Sequence, residues 1–267
     1  MKYGIVIRNL TDLRTEPGFR AERKSQLLLG EPIVVGDLKN GYLSATQNDG
    51  YCGWVDEKAI RLISKSEWRG YQNDLNYQVV SPTAKVHPLD NSFNSPIPQF
   101  LFYGTRLFVS RTREKMALFH APDGNKFKIS MKNIEVLSKL QGGKINGNHI
   151  VKEANKFLGV PYLWGGITPF GFDCSGLVQM AYKRYGFEFP RDSKDQRTVG
   201  VRIKRDEIKP GDLIFFPGHV VIAMGKNKII HASLGEGGVQ VNSLNPADPD
   251  FRKDLYDSYT EARRVLP

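Results

Sequence analysis

The chain has 267 residues, 25% charged and 40% hydrophobic, and no stretch approaches the roughly 18 consecutive apolar residues of a membrane-spanning helix. That length leaves room for two or three domains with cores of their own. Lys and Arg outnumber Asp and Glu by 38 to 28, which favours anionic surroundings such as nucleic acid, anionic cell-wall polymer or a carboxylate-rich substrate, but no basic run interleaved with aromatics supports a nucleic-acid binder.

Two cysteines, Cys52 and Cys174, exclude a disulfide framework, and neither has a second cysteine or histidine at zinc-ligand spacing. No metal and no organic cofactor is expected. The N-terminus, Met1-Lys-Tyr-Gly-Ile-Val-Ile-Arg8, lacks an apolar core of signal-peptide length. As written, the chain is expected in the cytoplasm, or in the periplasm or outside the cell if a leader has been trimmed. A monomer free of membrane is expected.

From Met1 to about Ser64, alternation, β-branched residues and turns at Pro17-Gly18, Asn40-Gly41 and Asp49-Gly50 predict short strands. They fall at Tyr3–Asn9, Leu10–Pro17, Ser25–Leu29, Pro32–Leu38, Tyr42–Gln47 and Gly53–Val55, a small all-β barrel pattern. Cys52, in the last of these stretches, is expected to be buried. Between Glu67 and about Leu137, strand-like runs at Tyr77–Val86, Gln99–Ser110, Met116–Ala121 and Lys126–Ser130 predict a second barrel, with a hairpin signal at Asp123-Gly124. Gln141-Gly-Gly-Lys144 reads as a linker.

The third region opens on a helix over about Asn148 to Leu158, with Ile150, Val151, Ala154, Phe157 and Leu158 on one face and Gly159 as its stop. A glycine-rich loop, Tyr162-Leu-Trp-Gly-Gly-Ile-Thr-Pro-Phe-Gly-Phe-Asp173, then delivers Cys174 to the first turn of another helix. Leu177, Val178, Ala181, Tyr182 and Tyr185 give that helix its period, Asp173 its N-cap and Gly186 its end. Backbone N–H groups at a helix N-terminus favour a thiolate and later an oxyanion, so Cys174 is the candidate nucleophile. Gly165, Gly166 and Gly171 predict a backbone that comes close to something, with substrate as one candidate.

Arg191-Asp-Ser193 predicts a short capped helix, with Arg191 and Asp192 as a local ion pair. Leu213–Phe216, His219–Met224, Lys228–His231 and Gly238–Asn242 then predict an antiparallel sheet, making this region α+β. A thiol nucleophile needs a base, and histidine suits that work near neutral pH. His219 follows the Pro217-Gly218 turn at the start of an apolar strand and is the candidate base. If the hairpin is centred on position 225, His231 falls opposite His219 and can orient it by a hydrogen bond.

Taken together, Tyr162-x-Trp164-Gly-Gly166, Phe172-Asp-Cys-Ser-Gly176, Arg191-Asp-Ser193, Lys209-Pro-Gly-Asp-Leu213, Gly218-His-Val220 and His231 resemble the NlpC/P60 family of cell-wall peptidases over residues 145–267. Leu13-Arg14, Gly30-Glu31, Gly41-Tyr42 and Gly50-Tyr-Cys-Gly-Trp-Val55 resemble a bacterial SH3 (SH3b) domain. The division expected is an SH3b-like domain at 1–64, a divergent second at 65–140 and the peptidase at 145–267. The resemblance implies a papain-like fold with Cys174, His219 and His231 as the catalytic triad. It further implies γ-D-glutamyl-L-diamino acid endopeptidase activity: hydrolysis of the bond between D-Glu and the diamino acid of a murein stem peptide bearing a free N-terminal L-Ala.

On the same resemblance, Asp173, Glu22 and Tyr51 are expected to meet the substrate's amine and first residues, with Glu16 competing for the place of Glu22. Tyr162 and Ser175 are expected near the oxyanion or substrate, and Ser193 near the D-Glu carboxylate. An endopeptidase or amidase acting on polymeric wall, with the barrels as wall-binding modules, is the alternative.

Overall fold

The computed structural model describes residues 2–89, 99–138 and 145–266, in two compact units, Met1–Gly142 and Gly143–Pro267. The front unit holds two seven-stranded antiparallel sheets. The first is built from Lys2–Val6, Leu10–Arg14, Arg23–Leu28, Pro32–Lys39, Tyr42–Thr46, Cys52–Asp56 and Ile60–Ile63. The second uses Tyr77–Val79, Thr83–Pro88, Phe100–Phe102, Arg106–Arg113, Met116–His120, Lys126–Ser130 and Ile134–Val136. Counted from its own first strand, each sheet runs third, second, sixth, fifth, fourth, first, seventh. Each also closes on an apolar core of its own, with Leu13, Leu27, Ile33 and Val55 in one and Leu101, Leu107, Phe119 and Ile129 in the other.

The structure corrects several boundaries. The run expected over Tyr77–Val86 is two strands, broken at Ser81-Pro82, where proline has no N–H to give a ladder. The run over Gln99–Ser110 breaks at Gly104, whose φ of +84 no strand residue adopts. A helix, Lys65–Asp74, was not expected at all. Its apolar face is too thin to register as a period, yet Ser64 and Glu67 form a reciprocal capping box, and the Trp68 ring packs tilted against Tyr3 with centroids 5.0 Å apart. The linker read at Gln141–Lys144 lies outside the described residues.

The second unit is α+β. Its six-stranded antiparallel sheet runs Val201–Ile203, Glu261–Arg264, Leu213–Phe216, His219–Ala223, Lys228–Ser233, Gly238–Ser243. The helices Gly147–Asn155 and Cys174–Lys183 pack on its strands and on each other. Ile214, Phe216, Val221, Ala223 and Ile229 join one buried cluster, and the alternate residues Leu213, Phe215, Val220 and Ile222 are fully buried as well. Burial on both faces is why these strands read as unbroken apolar runs. The outer strands Val201–Ile203 and Glu261–Arg264 carry Arg202, Arg263 and Arg264, which hid them from the pattern; backbone pairing with neighbours makes them strands.

Candidate active site

Cys174 opens its helix with Asp173 as N-cap, extended at φ −91 and ψ 175, its Oδ1 accepting from the Gly176 N–H at 2.7 Å. Gly166 before it and Gly176 after it make room for the protein's own backbone. A Cβ on Gly166 would sit 2.3 Å from the Gly171 carbonyl oxygen, and one on Gly176 would sit 2.2 Å from that of Gly166. The loop therefore lies flush on itself and on the first turn of the cysteine helix, so the close approach expected of Gly166 and Gly171 is made to the protein's own chain.

Arg191 is the residue whose importance the sequence reading missed. It is 2% exposed and forks onto Asp173, Nη1 to Oδ1 at 3.0 Å and Nη2 to Oδ2 at 2.6 Å. Nη1 also donates to Ser175 Oγ at 2.9 Å. Oδ2 of Asp173 accepts from the Gly165 N–H at 2.8 Å, and the Ser175 hydroxyl donates to Oδ1 at 3.3 Å. The acceptor positions of this carboxylate are thus met from within the protein. One buried ion pair fastens the glycine loop, the cysteine helix and the Arg191 segment together.

His219, His231 and Asn242 come from three adjacent strands. The observed register pairs Ile222 with Ile230 and Ala223 with Ile229, so the hairpin is centred on position 226 and not 225. The reason is the turn: Met224 N–H donates to the Lys228 carbonyl at 2.8 Å, closing a three-residue loop whose midpoint is Lys226. His219 and His231 are consequently diagonal neighbours on one face, still in reach. His219 Nε2 lies 2.8 Å from His231 Nδ1, and His231 Nε2 lies 2.9 Å from Asn242 Oδ1. Asn242 was read only as a strand residue; the register of Lys228–Ser233 with Gly238–Ser243, which pairs His231 with Gln240, sets it one diagonal step from His231.

The cysteine helix packs against the His219–Ala223 strand, where the backbone N–H groups of Val220 and Ser175 favour the Cys174 thiolate. Burial, then the Asp173 carboxylate, push this thiol up to about 11, against the pull of those N–H groups and of Arg191. The helix terminus acts in the direction expected from sequence, but burial outweighs it. Burial and the neighbouring His231 hold His219 down to about 3. His231 is also lowered by burial, with its hydrogen bond to Asn242 working the other way. The resting pair is a thiol and a neutral imidazole.

Tyr162 stands near this nucleophile. Burial, then Cys174 and Asp173, push its phenol up to about 12, so it stays a hydroxyl donor at neutral pH. Ser193 begins the four-residue helix Ser193–Gln196, which the fully buried Gln196 ties to the cysteine helix through Nε2 to the Ser175 carbonyl at 3.0 Å. Of the residues expected from the front unit, Glu22 and Glu16 are exposed and Tyr51 packs half-buried on the first core. Lys24 lies 4.7 Å above the Tyr51 ring and donates to the Cys52 carbonyl at 2.8 Å. Cys52 itself is exposed and not buried, because it shares the outward parity of Trp54 while Val55 points to the core. Among the described residues no His, Cys, Asp and Glu cluster has metal-holding geometry, and no helix is long and apolar enough to cross a membrane.

Comparison with known proteins agrees with this architecture. Residues 159–253 match the NlpC/P60 family and residues 13–60 the bacterial dipeptidyl-peptidase Sh3 domain. The chain is 29% identical over 268 residues to a γ-D-glutamyl-L-lysine dipeptidyl-peptidase of Bacillus cereus, covering 91% of this chain and 75% of that one. It is 27% identical over 262 residues to dipeptidyl-peptidase 6 of Lysinibacillus sphaericus, covering 96% and 97%. With the murein DD-endopeptidase MepS/murein LD-carboxypeptidase of Escherichia coli K12 it shares 34% over 148 residues, 53% of this chain and 70% of the relative. A solved NlpC/P60 family structure from Bacillus cereus has the same fold, with a TM-score of 0.87 at 24% identity, covering 99% of this chain and all of that one. A buried helix-terminal cysteine beside a histidine relay, in a chain so matched, makes this protein a cysteine peptidase belonging to the NlpC/P60 family, with a bacterial dipeptidyl-peptidase SH3 domain in its front unit.

Proposed function

We propose that the protein hydrolyses the γ-D-glutamyl–diamino acid bond of murein stem peptides that carry a free N-terminal L-Ala. The observation that carries the chemistry is the relay behind the thiol, His219 to His231 at 2.8 Å and His231 to Asn242 at 2.9 Å. An amide oxygen can only accept, so Asn242 Oδ1 requires the proton of His231 on Nε2. His231 Nδ1 is then an acceptor, and His219 must give it Nε2–H. That leaves the lone pair of His219 on Nδ1, the form a general base needs.

In the proposed cycle His219 Nδ1 takes the Cys174 proton as sulfur attacks the γ-carbonyl carbon. The resulting oxyanion is met by helix-terminal N–H groups and the Tyr162 hydroxyl. Collapse breaks the C–N bond, the His219 imidazolium protonates the departing amine, and water, deprotonated by His219, then cleaves the thioester. Asp173 and Arg191 hold the nucleophile's loop, and Ser175 shares in that network. Ser193 is assigned to the D-Glu carboxylate. The amine of L-Ala is assigned to Glu22 and Tyr51, since Asp173, expected beside them, is neutralised by Arg191. Recognition of an ammonium group by a carboxylate rejects N-acylated peptides, since the acyl form leaves the carboxylate unpaired.

The choice of bond is supported by the near full-length similarity to proteins named dipeptidyl-peptidases, and both front sheets are read as SH3b-like on their shared strand order. The test is incubation with L-Ala-γ-D-Glu-diaminopimelate, its lysine counterpart, and the N-acetylated form of each, read by mass spectrometry. Release of L-Ala-D-Glu from the free peptides alone is expected. Cleavage of the acetylated forms as well would remove the amine gate and favour a wall-acting endopeptidase; cleavage of none would overturn the proposal.

A further inference from the structure

Three charged side chains stand beside the histidine relay and take no part in the proposed cycle. Beyond burial and the relay's own partners, the charges that bear on His219 are those of Arg252 and Asp254, and those that bear on His231 are Arg252, Glu236 and Asp254. Glu236 lies in the turn between the strands that carry His231 and Asn242, and the carbonyl of its neighbour Gly237 accepts from the Tyr162 N–H at 3.0 Å. Arg252 comes from the segment that flanks the outer edge of that hairpin, bridged at Phe251 to Ser243, and its N–H donates to the Ser243 carbonyl at 2.8 Å. Backbone hydrogen bonds thus tie the trio to the Tyr162 loop on one side and to the strand of Asn242 on the other.

The guanidinium is fixed but not saturated. Nε and Nη2 fork onto Asp254 Oδ1 and Oδ2 at 2.8 and 2.6 Å, and Nη1 donates to Glu236 Oε1 at 2.7 Å. Three of its five N–H groups are used, which leaves one on each Nη, and Glu236 keeps Oε2; among the described residues nothing hydrogen-bonds these. The side chains of Arg252, Glu236 and Asp254 are 20%, 35% and 61% exposed, so the trio opens to solvent.

As a clamp alone the arrangement is redundant. The fork onto Asp254 already holds Arg252, and a partly exposed ion pair adds little stability. A fixed guanidinium with N–H groups to give, beside a fixed carboxylate with an oxygen to give, is the complement of a zwitterion.

The leaving group identifies which zwitterion. In the proposed cycle the His219 imidazolium protonates the departing α-amine, so the diamino acid lies against His219, within reach of the charges of Arg252 and Asp254. Lysine ends in an ammonium group alone. Diaminopimelate carries a carboxylate on the carbon that bears its far ammonium, and a site separates the two only by meeting that carboxylate. We propose that Arg252 and Glu236 bind the distal amino-acid head of diaminopimelate, carboxylate on Arg252 and ammonium on Glu236, and so select it over lysine. Asp254 is a positioning residue that aims the guanidinium. The assignment rests on the γ-D-glutamyl–diamino acid bond being the one cut.

The test measures kcat/KM of the full chain for L-Ala-γ-D-Glu-diaminopimelate and for its lysine counterpart. Wild type should favour the first at least about tenfold, as a charge-assisted hydrogen bond allows, and Arg252→Gln should lower that ratio at least about fivefold. A variant that merely loosens the fold or the relay slows both peptides alike and leaves the ratio where it was. A second arm needs no variant: with its distal carboxyl amidated, the diaminopimelate peptide should be cut by wild type about as well as the lysine peptide. Equal efficiency on the two peptides, an unchanged ratio in folded Arg252→Gln, or an amidated peptide cut as well as the free one would overturn this assignment and leave the choice of bond standing. Cleavage of neither peptide by wild type would overturn both.

Discussion

At the scale of single residues, burial holds the Cys174 thiol and the His219 imidazole neutral, and the predictions follow from that. Cys174→Ala removes the only atom that forms the proposed thioester; peptide hydrolysis should fall to background while the far-ultraviolet spectrum stays unchanged. Asn242→Leu removes the acceptor that fixes the His231 proton on Nε2, and kcat should fall about 10- to 100-fold with KM little changed, within the usual range for general-base defects. Asn242→Asp keeps an acceptor and adds charge, so it should restore part of kcat and move the acid limb of the rate profile to higher pH. Loss of KM alone in Asn242→Leu would argue for a packing role instead.

The same burial predicts how stability responds to pH. His219 is held down to about 3 from an ordinary value of 6.5, so below 6.5 the unfolded chain takes up a proton that the folded chain refuses. Its contribution is complete above 6.5 and is lost as pH falls toward 3. Cys174, pushed up to about 11 from 9.0, works at the other end, contributing fully below 9 and losing that contribution as pH rises toward 11. Urea titrations of wild type and His219→Gln should converge as pH is lowered through that acid window.

At the scale of elements, what positions the nucleophile is the clasp of Arg191 on Asp173, with side chains 1% and 7% exposed. Removing one member of a buried pair leaves the other charge uncompensated, so Arg191→Met should cost about 3–5 kcal/mol in urea unfolding. Arg191→Lys should recover little, since an ammonium group cannot fork onto a carboxylate. Gly176→Ala should cost both stability and turnover, because its Cβ would sit 2.2 Å from a backbone oxygen that cannot swing aside. The sequence made Asp173 legible as an N-cap from its place before a helical period. It gave no sign of Arg191, eighteen positions on, because a charged side chain following a proline reads as surface until a fold buries it.

At the scale of the whole molecule, the proposed division of labour separates bond cleavage, in the second unit, from recognition of the free amine by the front unit. Glu22→Gln combined with Tyr51→Phe should therefore raise KM for L-Ala-γ-D-Glu-diaminopimelate at least about tenfold, the loss expected when a charged hydrogen bond is removed. Any residual rate on the N-acetylated peptide should be untouched. Equal effects on both peptides would place these residues in the scaffold of the first sheet.

What the sequence by itself determined was local. Period and capping residues specified the cysteine helix, apolar runs specified the central strands of the second unit, and turn residues with alternation marked most strands of the front unit. These signals are written within a few residues of the structure they produce. What only the tertiary structure decided was pairing. The hairpin register shifted by one position and made His219 and His231 diagonal partners, a third strand brought in Asn242, Arg191 was drawn onto Asp173, and burial set the thiol and imidazole neutral. Each of these depends on which distant backbone lies alongside, and no local period encodes that.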